Sequence, residues 1–196
     1  MLTRPTVYTL PPPPIDRREV LRYAGGREGD SETDALLDRV IGEAMPLYTY
    51  TAVLRQAAIE PIAGGVAIEG LPFPSRALAD ALAGARRALL CAVTVGPRAD
   101  RLLSRYARLS PARALLLDAL GSERAEALCE ATEARARAEG LRLSRRFSPG
   151  YGDLPLTAQR PLFSLLDCER TLGLTLNASL LMSPVKSVTA IAGILD

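Results

Sequence analysis

Arg145-Arg146-Phe147-Ser148-Pro149-Gly150-Tyr151-Gly152-Asp153-Leu154-Pro155 is the stretch on which the reading of this chain turns. Two adjacent guanidiniums lead into a Ser-Pro-Gly-Tyr-Gly turn. Pro149 fixes its own φ, while Gly150 and Gly152 are free to adopt positive φ and to let a ligand approach the backbone. An arginine fork matches a carboxylate bidentately, and Tyr151 offers a ring face with a polar tip. On spacing alone, the same stretch also suits an ordinary Pro-Gly loop between a helix and the next element.

Composition narrows the chemistry around that turn. The chain has 196 residues, is 48% hydrophobic and 23% charged, and carries a net charge of +2. These values predict one globular domain over residues 1–196 and argue against a nucleic-acid partner. There is no histidine, which excludes Ser-His and Cys-His catalysis and any histidine ligand to zinc, haem or cobalt. Cys91, Cys129 and Cys168 are dispersed, so they read as buried or free thiols rather than a metal site or a disulfide framework. No signal peptide is visible and no apolar run approaches the roughly 20 residues of a membrane span. The expectation is a cytoplasmic protein with no metal site of its own.

Upstream of the turn, residues 1–15 read as an extended arm, with a short strand over Val7–Leu10 followed by four prolines. Asp16 is placed to cap a short helix carrying Val20 and Leu21, and Ser31 to cap the next. Tyr48–Val53 and Val66–Ile68 are β-rich, Ser75 starts a helix, and Ala88–Val95 is a continuous apolar run that suits a strand buried on both faces. Asp100–Tyr106 reads as helical. From Ser110-Pro111 a long helix runs to about Glu139, with Gly121-Ser122 as a candidate break. On it Glu123, Glu126, Glu130 and Glu133 share a face, the usual mark of a solvated surface. Downstream, Thr157 starts a helix ending at Gly173, Met182-Ser183-Pro184 is a turn, and Val185–Ile194 is β-prone. Lys186, the one lysine among 24 basic residues, reads as solvated, and Met182 as core. No dinucleotide fingerprint or phosphate-cradling loop is present.

The order of pieces in the C-terminal third is similar to the S-adenosylmethionine-binding activation domain of cobalamin-dependent methionine synthase. That family runs Arg-Pro-x-Pro-Gly-Tyr, a helix, Leu-Thr-x-Ser, Met-x-Pro and a strand opening with Ser-Val. This chain has Arg146 to Tyr151, a helix ending at Gly173, Leu176-Asn177-Ala178-Ser179, Met182-Ser183-Pro184 and Ser187-Val188. Phe147 stands where the family often has proline and Asn177 where it has threonine.

The resemblance implies an α+β fold, a twisted and mainly antiparallel sheet with packed helices. It also implies a job. A stand-alone module of this kind would hold S-adenosylmethionine over cobalamin carried by a separate methionine synthase. It would support reductive methylation of cob(II)alamin with an electron from a flavodoxin-type or other donor, with no catalytic side chain of its own. By the family match Arg146 takes the methionyl carboxylate, Ser148 and Gly150 let the ligand lie against the turn, and Tyr151 packs on it. Glu126 takes the ammonium or ribose. The family's domain continues past the strand that here ends near Asp196, so a second expectation is a docking partner of a corrinoid methyltransferase that no longer binds S-adenosylmethionine.

Overall fold

A computed structural model describes residues 4–27 and 29–195. The continuous apolar run becomes β5 (Arg87–Thr94), the centre of the main sheet. On one side lies β2 (Thr51–Ile62), paired from Thr51↔Thr94 to Ala58↔Arg87. On the other lies β9 (Ser187–Leu195), paired from Arg87↔Ile194 to Thr94↔Ser187. The far edge of β2 carries β1 (Thr6–Thr9) along its first half and β3 (Gly65–Ile68) along its second, and β4 (Leu71–Phe73) follows β3. The far edge of β9 carries β6 (Arg142–Leu143) at its C-terminal end. Every one of these pairings is antiparallel, so the α+β, mainly antiparallel expectation is met.

Helices cover both faces of the sheet. Ala52, Val93 and Val95 point toward α1 (Arg17–Tyr23), α2 (Ser31–Ala44), α4 (Arg98–Leu109) and α5 (Pro111–Ala138). Val53, Ala57, Leu90 and Ile191 point the other way, into a second core with α3 (Arg76–Ala81), α6 (Gln159–Leu166) and α7 (Cys168–Leu172). Apolar side chains on both faces of β5 and β9 are what a doubly covered strand requires. A separate two-stranded ribbon joins β7 (Thr175–Leu176) to β8 (Met182–Ser183). No described helix is long and apolar enough to cross a membrane.

Local signals account for several boundaries. Asp16 accepts from the N–H groups of Arg18 and Glu19 at the start of α1, a cap contributing about 1 kcal/mol. Burying Val20 and Leu21 contributes about 1.5–3 kcal/mol each, so packing more than capping holds this short helix. Ser75 caps α3 through the Leu78 N–H. The cap of α2 is Asp30, one residue before the expected Ser31, and its side chain accepts from Glu32. Thr157 caps nothing; it lies inside a 3-10 turn over Leu156–Ala158, and Asp167 at φ +52° separates α6 from α7.

The predicted break at Gly121-Ser122 does not occur: α5 is continuous over 28 residues. Glycine costs a helix interior about 1 kcal/mol relative to alanine. Here it makes room, because a Cβ on Gly121 would lie 2.9 Å from Cγ of Lys186. Lys186 is therefore not a solvated cation. It is largely buried, crosses α5 at this point, and donates to Ser122 Oγ at 2.9 Å while pairing with Asp118 at 2.8 Å.

The acidic row on α5 is also not simply solvated. Glu123 is buried against the fully buried Arg124, whose other N–H groups donate to the carbonyls of Pro13 (2.6 Å) and Pro14 (2.7 Å). Glu123 in turn accepts the Asp16 N–H at 3.0 Å. Prolines cannot donate to a ladder but keep their carbonyls, and Arg124 uses two of them to hold the N-terminal arm. Of the four glutamates Glu123 is buried, Glu126 and Glu133 are half-buried and Glu130 is exposed.

Candidate functional site

The outer edge of β9 positions the site. Phe147 exchanges two hydrogen bonds of 2.8 Å with Ile191, which docks the start of the Arg145–Pro155 stretch on that edge. The chain then turns away. Gly150 (φ +91°) donates to the carbonyl of Leu154 at 2.9 Å, and Tyr151 to that of Ser148 at 3.2 Å. Gly152 (φ +54°) lies where a Cβ would come within 3.2 Å of Ala77 Cβ and 3.3 Å of Phe147 Cζ. Asp153 pins the far end of the turn to α3: its carboxylate accepts from the hydroxyl of Ser75 and from the N–H groups of Arg76 (2.9 Å) and Ala77 (3.2 Å). These bonds, the Ser75 hydroxyl first, hold the Asp153 carboxyl below the usual aspartate range.

Beyond Ile191 toward the start of β9, this edge has no strand partner among the described residues. A cleft of about 950 Å³ lies there, with Ser187, Val188 and Thr189 along the strand, Glu126, Glu133 and Arg137 from α5, the turn residues Arg145–Pro149, Tyr151 and Gly152, and Gln159 and Met182. Arg146 reaches across to α5. Its guanidinium donates to Glu126 at 2.6 Å and to Glu133 at 2.9 Å. Partial burial works against its charge, but the hydrogen bond to Glu133, reinforced by that to Glu126, outweighs it and keeps the arginine ionised. The two carboxylates differ in setting: the Glu126 side chain is 42% exposed and that of Glu133 17%. At its α5 side the cleft thus holds Arg146 bridged by Glu126 and Glu133, with Arg137 paired to Glu133 at 3.1 Å, and at its turn an exposed aromatic ring, Tyr151 (68%).

No family model and no curated protein sequence matches this chain. Among solved structures it is similar to the crystal structure of the MetH reactivation domain bound to AdoHcy. The TM-score is 0.67 and the identity 18%, with 98% of this chain and 79% of that chain covered. The chain has the MetH reactivation domain fold.

Within this reactivation fold, four of the five residues singled out from sequence, Glu126, Arg146, Ser148 and Tyr151, line one cleft, and the fifth, Gly150, lies between the lining residues Pro149 and Tyr151. Tyr151 is exposed rather than packed in a core. Arg146 and Glu126, assigned to different parts of a ligand, contact each other. Glu133 shares Arg146; it sits seven residues after Glu126, two helical turns along the same face, a spacing visible in the sequence but read there as solvated.

Gln159, Thr189 and Asp153 had no sequence signal of their own. Asp153 is 77 residues from Arg76, and the other two are ordinary polar residues until the fold brings them to the cleft. Met182 packs against the α6 core and also lines the cleft. Burial pushes the Cys91 and Cys168 thiols up to about 12, and Cys129 well above its usual value, so none supplies a thiolate nucleophile at neutral pH. Among the described residues no group of three acidic, cysteine or histidine side chains could hold a metal.

Proposed function

We propose that this chain binds S-adenosylmethionine in the cleft beside β9 and serves as the reactivation subunit of a separate cobalamin-dependent methionine synthase in the cytoplasm. The observation that carries this reading is the place of Arg146: in a cleft of about 950 Å³, just ahead of the Ser-Pro-Gly-Tyr turn, in a fold shared with a domain crystallised with AdoHcy (S-adenosylhomocysteine). S-adenosylmethionine supplies a methyl group already activated on a sulfonium, so the protein has to bind and orient it rather than move protons.

The ion-pair geometry supports a partner exchange. The ligand's carboxylate takes the place of Glu126 on the Arg146 fork. Glu126, the more exposed of the two acids, turns to the ligand's ammonium, and Glu133 stays to hold the arginine. Gly150 and the Ser148 backbone let the ligand lie on the turn, and Tyr151 covers it. The cobalt acceptor and the electron come from the partner synthase and a flavodoxin-type or other donor.

One observation favours a second reading. Arg146 already has two internal counter-ions, as it would in a docking partner of a corrinoid methyltransferase that no longer binds S-adenosylmethionine. Reconstitution of a cob(II)alamin methionine synthase with reductant and S-adenosylmethionine, with and without this chain, tests the main reading. Restored turnover only with the chain is the expected result. Turnover independent of the chain rejects it, and association with the synthase without ligand binding selects the second reading.

A further inference from the structure

Two buried oxygens on residues that line the cleft point to a ligand group that the charged residues do not serve. Gln159 is 6% exposed and Thr189 2%, yet Gln159 Oε1 and Thr189 Oγ1 find no hydrogen-bond partner among the described residues. Buried polar atoms are normally satisfied, and leaving one unpaired is costly. Only four side-chain atoms are in this state among the described residues, and two of the four belong to residues lining this one cleft. Neither residue carries a charge. The α5 side of the cleft holds Arg146, Glu126, Glu133 and Arg137, whereas Gln159 opens α6 and Thr189 lies on β9.

The strand register adds to this. Val95 N–H donates to Lys186 O across the β5–β9 pair, while Ile191 bonds outward to Phe147. Alternation then turns the main-chain N–H and C=O of Thr189 to the same outer edge as those of Ile191, the edge on which the cleft opens. Phe147, Val188 and Met182 supply apolar surface beside these groups.

We infer that Gln159 and Thr189 form the base-recognition end of the site and take the hydrogen-bonding edge of an adenine. This rests on the S-adenosylmethionine reading and sharpens it. A primary amide presents a donor and an acceptor side by side, which matches the amine and ring nitrogen of adenine. A threonine hydroxyl supplies either role. The division is electrostatic: the zwitterionic amino-acid end lies on the Arg146 side, and the neutral planar base lies among uncharged polar and apolar groups.

Calorimetry with the full chain tests it, using AdoHcy and its hypoxanthine counterpart S-inosylhomocysteine, in which the amine donor becomes a carbonyl acceptor. Wild type is expected to prefer AdoHcy by about tenfold or more. Gln159→Leu should lose about tenfold in AdoHcy affinity and most of that preference. Thr189→Val, close in shape and so retained in the sheet, should weaken AdoHcy in the same direction and keeps the test decisive if Gln159→Leu does not fold. Wild-type AdoHcy affinity in folded Gln159→Leu, or in Thr189→Val when the other variant is unfolded, overturns the base assignment alone. No AdoHcy binding by wild type overturns the S-adenosylmethionine reading and the base assignment with it.

Discussion

Two of the arginine–glutamate arrangements made by helix α5 are opposites. At its middle, Arg124 is fully buried, with Glu123 and two proline carbonyls as partners. Further along, Glu126 and Glu133 hold Arg146, whose side chain is 26% exposed in a cleft of about 950 Å³. The first cluster is closed: every partner is supplied by the chain and there is no space for another. The second has an open side and one solvent-exposed partner that can be exchanged. The same pair of residue types is a clasp in one place and a candidate ligand site in the other, and what separates them is access rather than chemistry.

Substitution should keep the two apart. The largest effect is expected from Arg124→Ala, which leaves the Glu123 carboxylate buried without its cation; breaking a buried pair in this way costs about 3–5 kcal/mol. A fall in Tm of roughly 10 °C or more follows for a chain of this size, read by thermal unfolding. A Tm close to wild type would mean that the clasp is not closed. Arg146→Ala should do the reverse. Losing a charge-assisted, two-pronged contact of about 1.5–3 kcal/mol weakens AdoHcy roughly 10- to 100-fold in a binding titration. The substitution strands no carboxylate, because the Glu126 side chain is 42% exposed and Glu133 keeps Arg137 at 3.1 Å, so the stability cost should be about 1 kcal/mol or less and Tm should barely move.

A smaller effect belongs to the turn that carries Arg146. Gly152→Ala places a Cβ against Ala77 and Phe147 at a positive φ, at a cost of about 1–2 kcal/mol. It should lower Tm by a few degrees and weaken AdoHcy as well, since it displaces the turn. Unchanged affinity would detach the turn from the site.

The smallest effect is one of pH. The native Asp153 carboxyl is held below its ordinary value, so its contribution is fully present above the unfolded-state value of about 4 and is lost as pH falls through the lower native value. Asp153→Asn should therefore flatten the stability curve below a pH of about 4 and leave its shape at neutral pH alone. An acid limb identical to wild type would show that the bond to Ser75 does not shift this group.

Much of this was legible in sequence, and the gaps have a common cause. The apolar run of β5, the Asp16 and Ser75 caps and the Ser-Pro-Gly-Tyr turn are local signals, and the structure follows them. The start of α2 moved by one residue because adjacent polar residues compete for the cap, and Asp30 is as good a cap as Ser31; the helix expected from Thr157 to Gly173 is instead preceded by a 3-10 turn and split at Asp167 into α6 and α7. The glutamates of α5 were misread because their partners are remote: Arg124 binds carbonyls 110 and 111 residues away, and Glu126 meets an arginine 20 residues on. Lys186 was misread for the same reason, since its buried path over Gly121 exists only once β9 crosses α5. The two-residue strand β6 and the short β4 carry too few residues to show a period.

Isothermal titration of the 196-residue chain with AdoHcy, beside Arg146→Ala and Arg124→Ala, bears most directly on the claim that the open arginine cluster is a ligand site and the closed one is not. The account predicts saturable one-to-one binding by wild type, a severe loss in Arg146→Ala at nearly unchanged Tm, and a Tm loss in Arg124→Ala with near-normal affinity in the fraction that remains folded. No AdoHcy binding by wild type, or an Arg146→Ala variant that binds as wild type does, would contradict it.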